Sequence, residues 1–283
     1  MTGRTLPLIT VIVAVYNGAK TLQQCIDSIS DQAYVNRQLI IIDGGSKDGS
    51  VGILELNDKK IDYWVSEADS GIYSAWNKAL VHAKGEWVCF LGSDDFLLNA
   101  EVLARMASEL SAISQEINIV YGQVMLLSES GAELYLIGQP WGEVKDRFKQ
   151  IMCIPHPAAM HRRRLFAQHG NFDESFRIAA DYEFMLRELR IGHAVFVPGL
   201  VIAAMRQGGV SSNPSNTILA LKEVRRAQKK NGKSPPGMIW IISVVRTYLR
   251  LFLWKILGEK TARKILDAGR RLLRQPPYWT KTS

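Results

Sequence analysis

The front of the chain alternates between two spacings of apolar residues. Short, largely apolar runs stand at Leu8–Val15, Gln38–Ile42, Asp62–Val65 and Glu86–Leu91, and each reads as a strand. Between them apolar residues recur three and four apart. Leu22, Ile26, Ile29 and Ala33 mark a helix within Ala19–Ala33. Ser50–Leu56 is a short helix, and Ala75, Ala79, Leu80 and Ala83 share one side of a helix over Ser70–Ala83. Asn99–Leu110 supplies a further helix. This alternation predicts an α/β fold, a mostly parallel sheet with helices on both faces. Such sheets bind ligands at the carboxyl ends of their strands. The polar residues in those places are Tyr16-Asn17, Asp43, Glu67 to Asp69, and Asp94-Asp95.

The middle changes character. Ile119–Leu127 and Ala132–Ile137 read as a hairpin turning at Gly131, and Gln139–Cys153 as an irregular flap. Ala180–Leu189 is a helix, His193–Val197 a late strand, and Met205–Pro214 a Gly/Ser/Asn-rich loop.

Charge divides the chain. From Lys222 onward 16 Lys/Arg face three acidic residues, a balance of +13, whereas the preceding part carries 19 basic and 24 acidic residues, or −5. The expected organisation is therefore an acidic domain over 1–221 and a basic helical tail over 222–283. In the tail, Ser234-Pro235-Pro236-Gly237 is a breaker, followed by apolar Met238–Leu257. Its longest uncharged run, Ser234–Val245, falls short of the roughly 20 residues that a membrane span needs. Ser243, Arg246, Thr247 and Arg250 share one helical face. After Gly258 a second helix sets Ala262, Ile265, Leu266, Gly269, Leu272 and Leu273 against Lys260, Arg263, Lys264, Arg270, Arg271 and Arg274. Basic, amphipathic helices of this kind lie in a membrane interface with their charges toward anionic headgroups. The same pair could pack on the domain or on a second subunit. Its density of Trp, Leu and Ile argues against a nucleic-acid-binding arm. Cys25, Cys89 and Cys153 are widely spaced in apolar contexts and fit buried thiols in a reducing compartment. Leu8–Val15 ends in Tyr16-Asn17-Gly18, which reads as a strand leaving the sheet rather than as a signal peptide.

The chemistry gathers around carboxylates. Asp94 and Asp95 repel each other unless a cation or hydrogen-bond donors compensate them. Mg²⁺ or Mn²⁺ would do so and would share ligands with substrate phosphates; a helix start would also suit such a pair. Asp43-Gly44-Gly45-Ser46-Lys47-Asp48-Gly49 lacks P-loop spacing, so Asp43 reads as an acceptor for a base or ribose, or as a turn cap. Glu67 and Asp69 suit a site or a helix cap equally, and Lys78 with Asn77 either a site or a solvated face. Asp181, among Ile, Ala and Phe at a helix start, is set as a general base of raised pKa or as a cap. His156, between two prolines, takes a secondary catalytic place.

Taken in order, these motifs resemble the family 2 glycosyltransferases of the GT-A fold, in the bacterial polysaccharide-assembly branch. The resemblance runs from about Pro7 to Ser211. It rests on Ile9 to Asn17, the Asp43–Gly49 turn, Ser66-Glu67-Ala68-Asp69-Ser70-Gly71-Ile72-Tyr73, Asn77-Lys78 and Gly92-Ser93-Asp94-Asp95. It implies a Rossmann-like sheet and an inverting transfer from a nucleotide-sugar donor, expected to be UDP-linked, to a glycan or polyprenyl-linked acceptor. Tyr16 and Asp43 would meet base and ribose, with Val15 and Asn17 nearby. Asp95 would bind the metal and Asp94 the ribose or the metal's waters. Glu67 and Asp69 would line the donor pocket, with Lys78 among the substrate contacts. Arg206, in Arg206–Ser211, would touch the diphosphate. Asp181 would be the base and His156 would line the acceptor side. Ala180-Asp181 departs from the frequent Glu-Asp. A non-catalytic sugar-nucleotide scaffold and a sugar nucleotidyltransferase are the rival readings. The implied location is peripheral, on the cytoplasmic face of the inner membrane.

Overall fold

The computed structural model describes residues 6–128, 130–207, 216–233, 235–272 and 274. Its centre is a sheet in the order β3-β2-β1-β4-β8-β6-β9-β5, with β7 paired to β6. β1 (Ile9–Val15), β2 (Arg37–Asp43), β3 (Tyr63–Ser66) and β4 (Trp87–Gly92) run parallel. They alternate with α1 (Leu22–Ser30), α2 (Ser50–Leu56) and α3 (Ile72–Leu80). Every residue of β1 is buried, as a central parallel strand covered on both faces requires.

The two-residue pleat divides that burial. Val11, Val13, Leu39, Ile41, Cys89 and Leu91 point to one face, which α1, α2 and α4 (Val102–Ala112) cover. Ile12, Ile40, Ile42, Val88 and Phe90 point to the other, under α3, α6 (Arg164–His169) and α7 (Ala180–Leu189). Phe90 is the hub of this second core, with ring centroids 4.9 Å from Trp76, 5.1 Å from Phe172 and 5.4 Å from His156.

The second half of the sheet departs from the expected pattern. The hairpin of β6 (Ile119–Leu127) and β7 (Glu133–Ile137) is present. A short strand, β8 (Ala159–Arg162), lies antiparallel to both β4 and β6 and joins the halves. The late strand is much longer than expected: β9 runs Ala194–Arg206, parallel to β6, and bends at Pro198-Gly199, where Gly199 has φ of 68° and the register shifts near Gln123. Met205 and Arg206 therefore belong to a strand and not to a loop, and Gly208 to Pro214 lie outside the described residues. β5 (Phe96–Leu97) pairs with Ala203 and Ala204 of β9, which carries the end of β9 to the Asp94-Asp95 turn.

The expected flap holds a helix, α5 (Trp141–Phe148), started by Pro140 and anchored by buried Val144 and Phe148 one turn apart. The domain boundary expected at 221/222 falls inside α8 (Thr217–Lys230), whose Glu223, Ala227 and Gln228 are buried. α8 is thus part of the main body. α9 (Met238–Leu257) and α10 (Glu259–Leu272) follow it.

Truncating Phe90 to Ala would remove a ring enclosed by three others, and large-to-small changes of this kind cost about 3–5 kcal/mol. Urea denaturation of Phe90→Ala should show a midpoint shift of that size with an unchanged slope.

Candidate active site

β1 lies between β2 and β4, so the loops leaving these three strands meet at one end of the sheet. The β1 loop is stitched onto the β2 turn. Asn17, with φ of 51°, donates its N–H to Ser46 Oγ at 2.7 Å, and its Oδ1 accepts from the Lys47 N–H at 2.9 Å. Asp48 Oδ2 accepts from the Ala19 N–H at 2.9 Å. Gly18 lies so close to the β4 loop that a Cβ there would stand 2.5 Å from Ser93 Oγ. Tyr16, 68% exposed, projects from this junction. Val15 does not, because its side chain is buried in the core and its carbonyl accepts from the Gly44 N–H at 2.9 Å.

Asp43 is fully buried. Its Oδ2 accepts from the N–H groups of Gly45 and Ser46 at 3.0 and 2.9 Å and from Ser66 Oγ at 2.6 Å, and its Oδ1 accepts from Ser46 Oγ at 2.5 Å. A carboxylate has about four acceptor positions. Three of the four donors to Asp43 fall on Oδ2 and one on Oδ1. In this structure Asp43 ties together the turns that follow β2 and β3. On the β3 side, Gly44 brings its backbone against Asp69, where a Cβ would stand 2.9 Å from Oδ2. Asp69 Oδ1 accepts from the Gly71 N–H at 2.9 Å. Exposed Glu67 pairs with Lys78 Nζ at 2.8 Å, and the same ammonium donates to the Ala68 carbonyl at 3.2 Å.

Across the cleft, Asp95 is buried next to half-buried Asp94. Asp95 Oδ2 accepts from the Gly92 N–H at 3.3 Å. Burial, and then the Asp94 carboxylate, push the Asp95 pKa well up, while hydrogen bonds and the Arg206 charge oppose this. Arg206 arrives from β9, donating through Nη1 to the Asp94 carbonyl at 3.3 Å and through Nη2 to Gln24 Oε1 at 2.7 Å. Among the described residues no three His, Cys, Asp or Glu side chains form a complete ion cage. A pair of oxygen donors whose charge the fold leaves poorly compensated does fit Mg²⁺ or Mn²⁺, which bind through one or two carboxylates and complete their shell with water and phosphate.

Asp181 stands at the start of α7. Burial pushes its pKa up to about 6, the nearby Glu223 carboxylate adds to this, and hydrogen bonds oppose it. Those bonds, from the Tyr182 N–H at 2.8 Å and the Tyr73 hydroxyl at 3.2 Å, both fall on Oδ1. The single Tyr73 hydroxyl proton is shared with the Ile178 carbonyl, 2.6 Å away. Tyr73 lies in α3, directly after the Glu67–Gly71 loop, so the carboxylate is tied to the loop that follows β3. Behind it, Glu223 of α8, 6% exposed, accepts from the N–H groups of Arg177, Ile178 and Ala179 at 2.9, 2.8 and 3.0 Å. Neither Tyr73 nor Glu223 stood among the expected site residues. The Gly71-Ile72-Tyr73 motif carried a signal for the first, whereas the second was hidden in a basic helix. His156 is placed differently from the expectation. It is 6% exposed among Trp76, Phe90, His161 and Phe172, its Nε2 has no partner, and burial drives its pKa well down. The ring is enclosed within the aromatic core around Phe90.

The sequence pattern of Glycosyl transferase family 2 matches residues 10–169, more than half of the chain. A PGL/p-HBAD biosynthesis glycosyltransferase of Mycobacterium bovis is 32% identical over 190 residues, 64% of this chain and 69% of that protein. An uncharacterised glycosyltransferase of Rickettsia typhi is 29% identical over 196 residues, 67% of this chain and 61% of that protein. Among solved structures, Staphylococcus aureus TarS 1-349 with UDP-GlcNAc aligns at a TM-score of 0.61 and 18% identity, covering 77% of this chain and 66% of TarS 1-349. The mannosyltransferase PcManGT of Pyrobaculum calidifontis with GDP-Man and Mn²⁺ aligns at 0.62 and 20% identity, covering 98% of this chain and 84% of the other. At these identities the structural likeness is one of fold.

Glu223→Ala would leave three N–H groups without an acceptor, of which that of Ala179 is buried, at about 1–3 kcal/mol for a buried one. The expected outcome is a lower urea midpoint, with Glu223→Gln intermediate because one acceptor oxygen remains.

Proposed function

The chain belongs to glycosyl transferase family 2, and from that premise we propose that it moves a sugar from a UDP-linked donor to a hydroxyl of a glycan or polyprenyl-linked acceptor, inverting the anomeric carbon. The observation that carries this reading is the raised Asp181 carboxylate, tethered through Tyr73 to the helix that follows the donor-side loop. Its hydrogen bonds hold Oδ1, which leaves Oδ2 to take the proton of the acceptor hydroxyl. The acceptor oxygen then attacks from the face opposite the nucleotide. The anomeric carbon–oxygen bond to the diphosphate breaks, and the electron pair leaves with the nucleoside diphosphate.

Exposed Tyr16 stacks on the base, and Asn17 holds the β1 loop in place for it. Glu67, Asp69 and Lys78 border the sugar, and the Arg206 guanidinium lies beside the carboxylate turn, where diphosphate charge develops. A Mg²⁺ or Mn²⁺ ion held by Asp95, with Asp94 beside it, would supply Lewis-acid neutralisation of that charge. The solved neighbours carry UDP-GlcNAc in one case and GDP-Man with Mn²⁺ in the other, which supports a nucleotide-sugar donor. The lipid-linked acceptor and a peripheral place on the cytoplasmic face of the inner membrane are drawn from the basic tail.

The test is a panel of nucleotide sugars incubated with the purified chain, with and without Mn²⁺. Release of nucleoside diphosphate supports transfer, release of pyrophosphate would identify a nucleotidyltransferase, and binding without turnover a scaffold. Asp181→Asn should lower turnover about 10²–10⁴-fold while donor affinity stays unchanged, since general-base help contributes that much. Because Asp181 must be ionised to accept a proton, kcat/KM should fall about tenfold per pH unit below its raised pKa of about 6 and level off above it. An acid limb near the ordinary carboxylate range would count against this assignment. Asp95→Ala should abolish the Mn²⁺-dependent part of donor binding in calorimetry.

A further inference from the structure

α9 leaves a row of large apolar residues facing outward. In water an amphipathic helix buries its apolar stripe and shows its polar one. The side of α9 turned toward the protein carries Ser243, Thr247 and Arg250 together with the half-buried Trp240, Val244, Leu251 and Trp254, and Thr247 is only 8% exposed. Arg250 Nη2 donates to Thr217 Oγ1 at 3.1 Å, and its guanidinium lies 5.3 Å from the Trp254 ring. Trp240 Nε1 donates to the Leu221 carbonyl at 2.9 Å, and the Ile239 N–H donates to Gln150 Oε1 at 3.0 Å, which fixes the helix on α8 and on the segment after α5. α10 packs on α9 in the same sense: Asp267 is buried and Arg263 and Arg270 are half-buried, while Ile265 and Leu272 are exposed. This corrects the expectation that Arg250, Arg263 and Arg270 all face headgroups.

The outer side of α9 presents Met238, Ile242, Val245, Leu249, Phe252 and Ile256, spaced alternately four and three apart and 41–68% exposed. So much large apolar surface on one side of a helix marks an interaction face. Exposed Arg246 and Lys255 flank it on α9, and exposed Lys260, Lys264 and Arg271 extend the positive border through α10.

We propose that this face lies in the plane of an anionic lipid surface, with the apolar row sunk among the acyl chains and the basic border on the headgroups. This deepens the membrane placement proposed above, on which it rests, and it does not depend on the transfer chemistry. Charge complementarity selects this occupant. Met238–Leu257 contains no Asp or Glu, so a second copy laid on the same row would meet only apolar or basic flanks and would repel it. Crossing the bilayer is also disfavoured, as no helix among the described residues is long and apolar enough to span it.

The test is flotation of the full chain with phosphatidylcholine vesicles and with vesicles in which about a third of the lipid is phosphatidylglycerol. Wild type should float with the anionic vesicles and lose most of that binding in high salt. Leu249→Glu/Phe252→Glu and, separately, Arg246→Glu/Lys255→Glu should each weaken it about tenfold or more. All four positions are on the surface, so thermal midpoints should stay at the wild-type value. Absence of vesicle binding by wild type, or equal binding by the folded variants, overturns the proposal. It is also overturned if light scattering shows a dimer that Leu249→Glu/Phe252→Glu dissolves while wild type ignores vesicles. Vesicle binding is read without any sugar donor, so a failed transfer assay would leave this result standing.

Discussion

The buried carboxylate of Asp43 holds the cleft together. An ionised group enclosed by protein is tolerated only when its acceptor positions are filled. Here the filling groups come from the β2 turn and from the end of β3, and the Ser46 hydroxyl that binds Asp43 also accepts from the β1 loop. One charge thus fixes three strand ends relative to one another. The wall that would receive a nucleotide is built before any ligand arrives, which reduces the ordering cost of binding.

Three further carboxylates sit in contrasting surroundings, and the contrast divides their work in this family 2 glycosyltransferase. Asp94 and Asp95 crowd each other at the mouth of β4, where the fold supplies a distant N–H and one guanidinium, an arrangement that asks for positive charge from outside. Asp181 has no adjacent carboxylate in sequence. Its pKa is raised by enclosure and restrained by two donors on a single oxygen, an arrangement that suits proton uptake. The two sites reach the cleft from different halves of the sheet, joined by β8 and by the α3–α7 contact at Tyr73.

Much of this arrangement was legible in the sequence. The parallel strands, the helices between them and the polar residues at the strand ends follow from local periodicity, because a doubly covered strand needs a continuous apolar run and a covering helix needs one apolar stripe. Ser50–Leu56, Ile119–Leu127 and Ala180–Leu189 match the expected bounds. Three features were not legible. β9 crosses Pro198-Gly199 because pairing with β6 compensates for a poor local preference. α5 forms from a Pro-Trp-Gly start because Val144 and Phe148 find a core to enter. Glu223 looks like an ordinary acidic residue in a basic helix until α8 lays it under the start of α7.

The chain's own order of residues therefore determined the α/β class, the family and which carboxylates stand at strand ends, since these depend on spacing along a backbone of fixed geometry. Tertiary structure alone decided how each of those groups is employed. It tied Asp43 to the β2 and β3 turns, buried the side chains of Val15 and His156, brought Arg206 to Asp94, and turned Ser243, Thr247 and Arg250 of α9 inward. Hydrogen-bond partners, enclosure and the direction a helix faces are set by neighbours distant in sequence, and no local pattern records them.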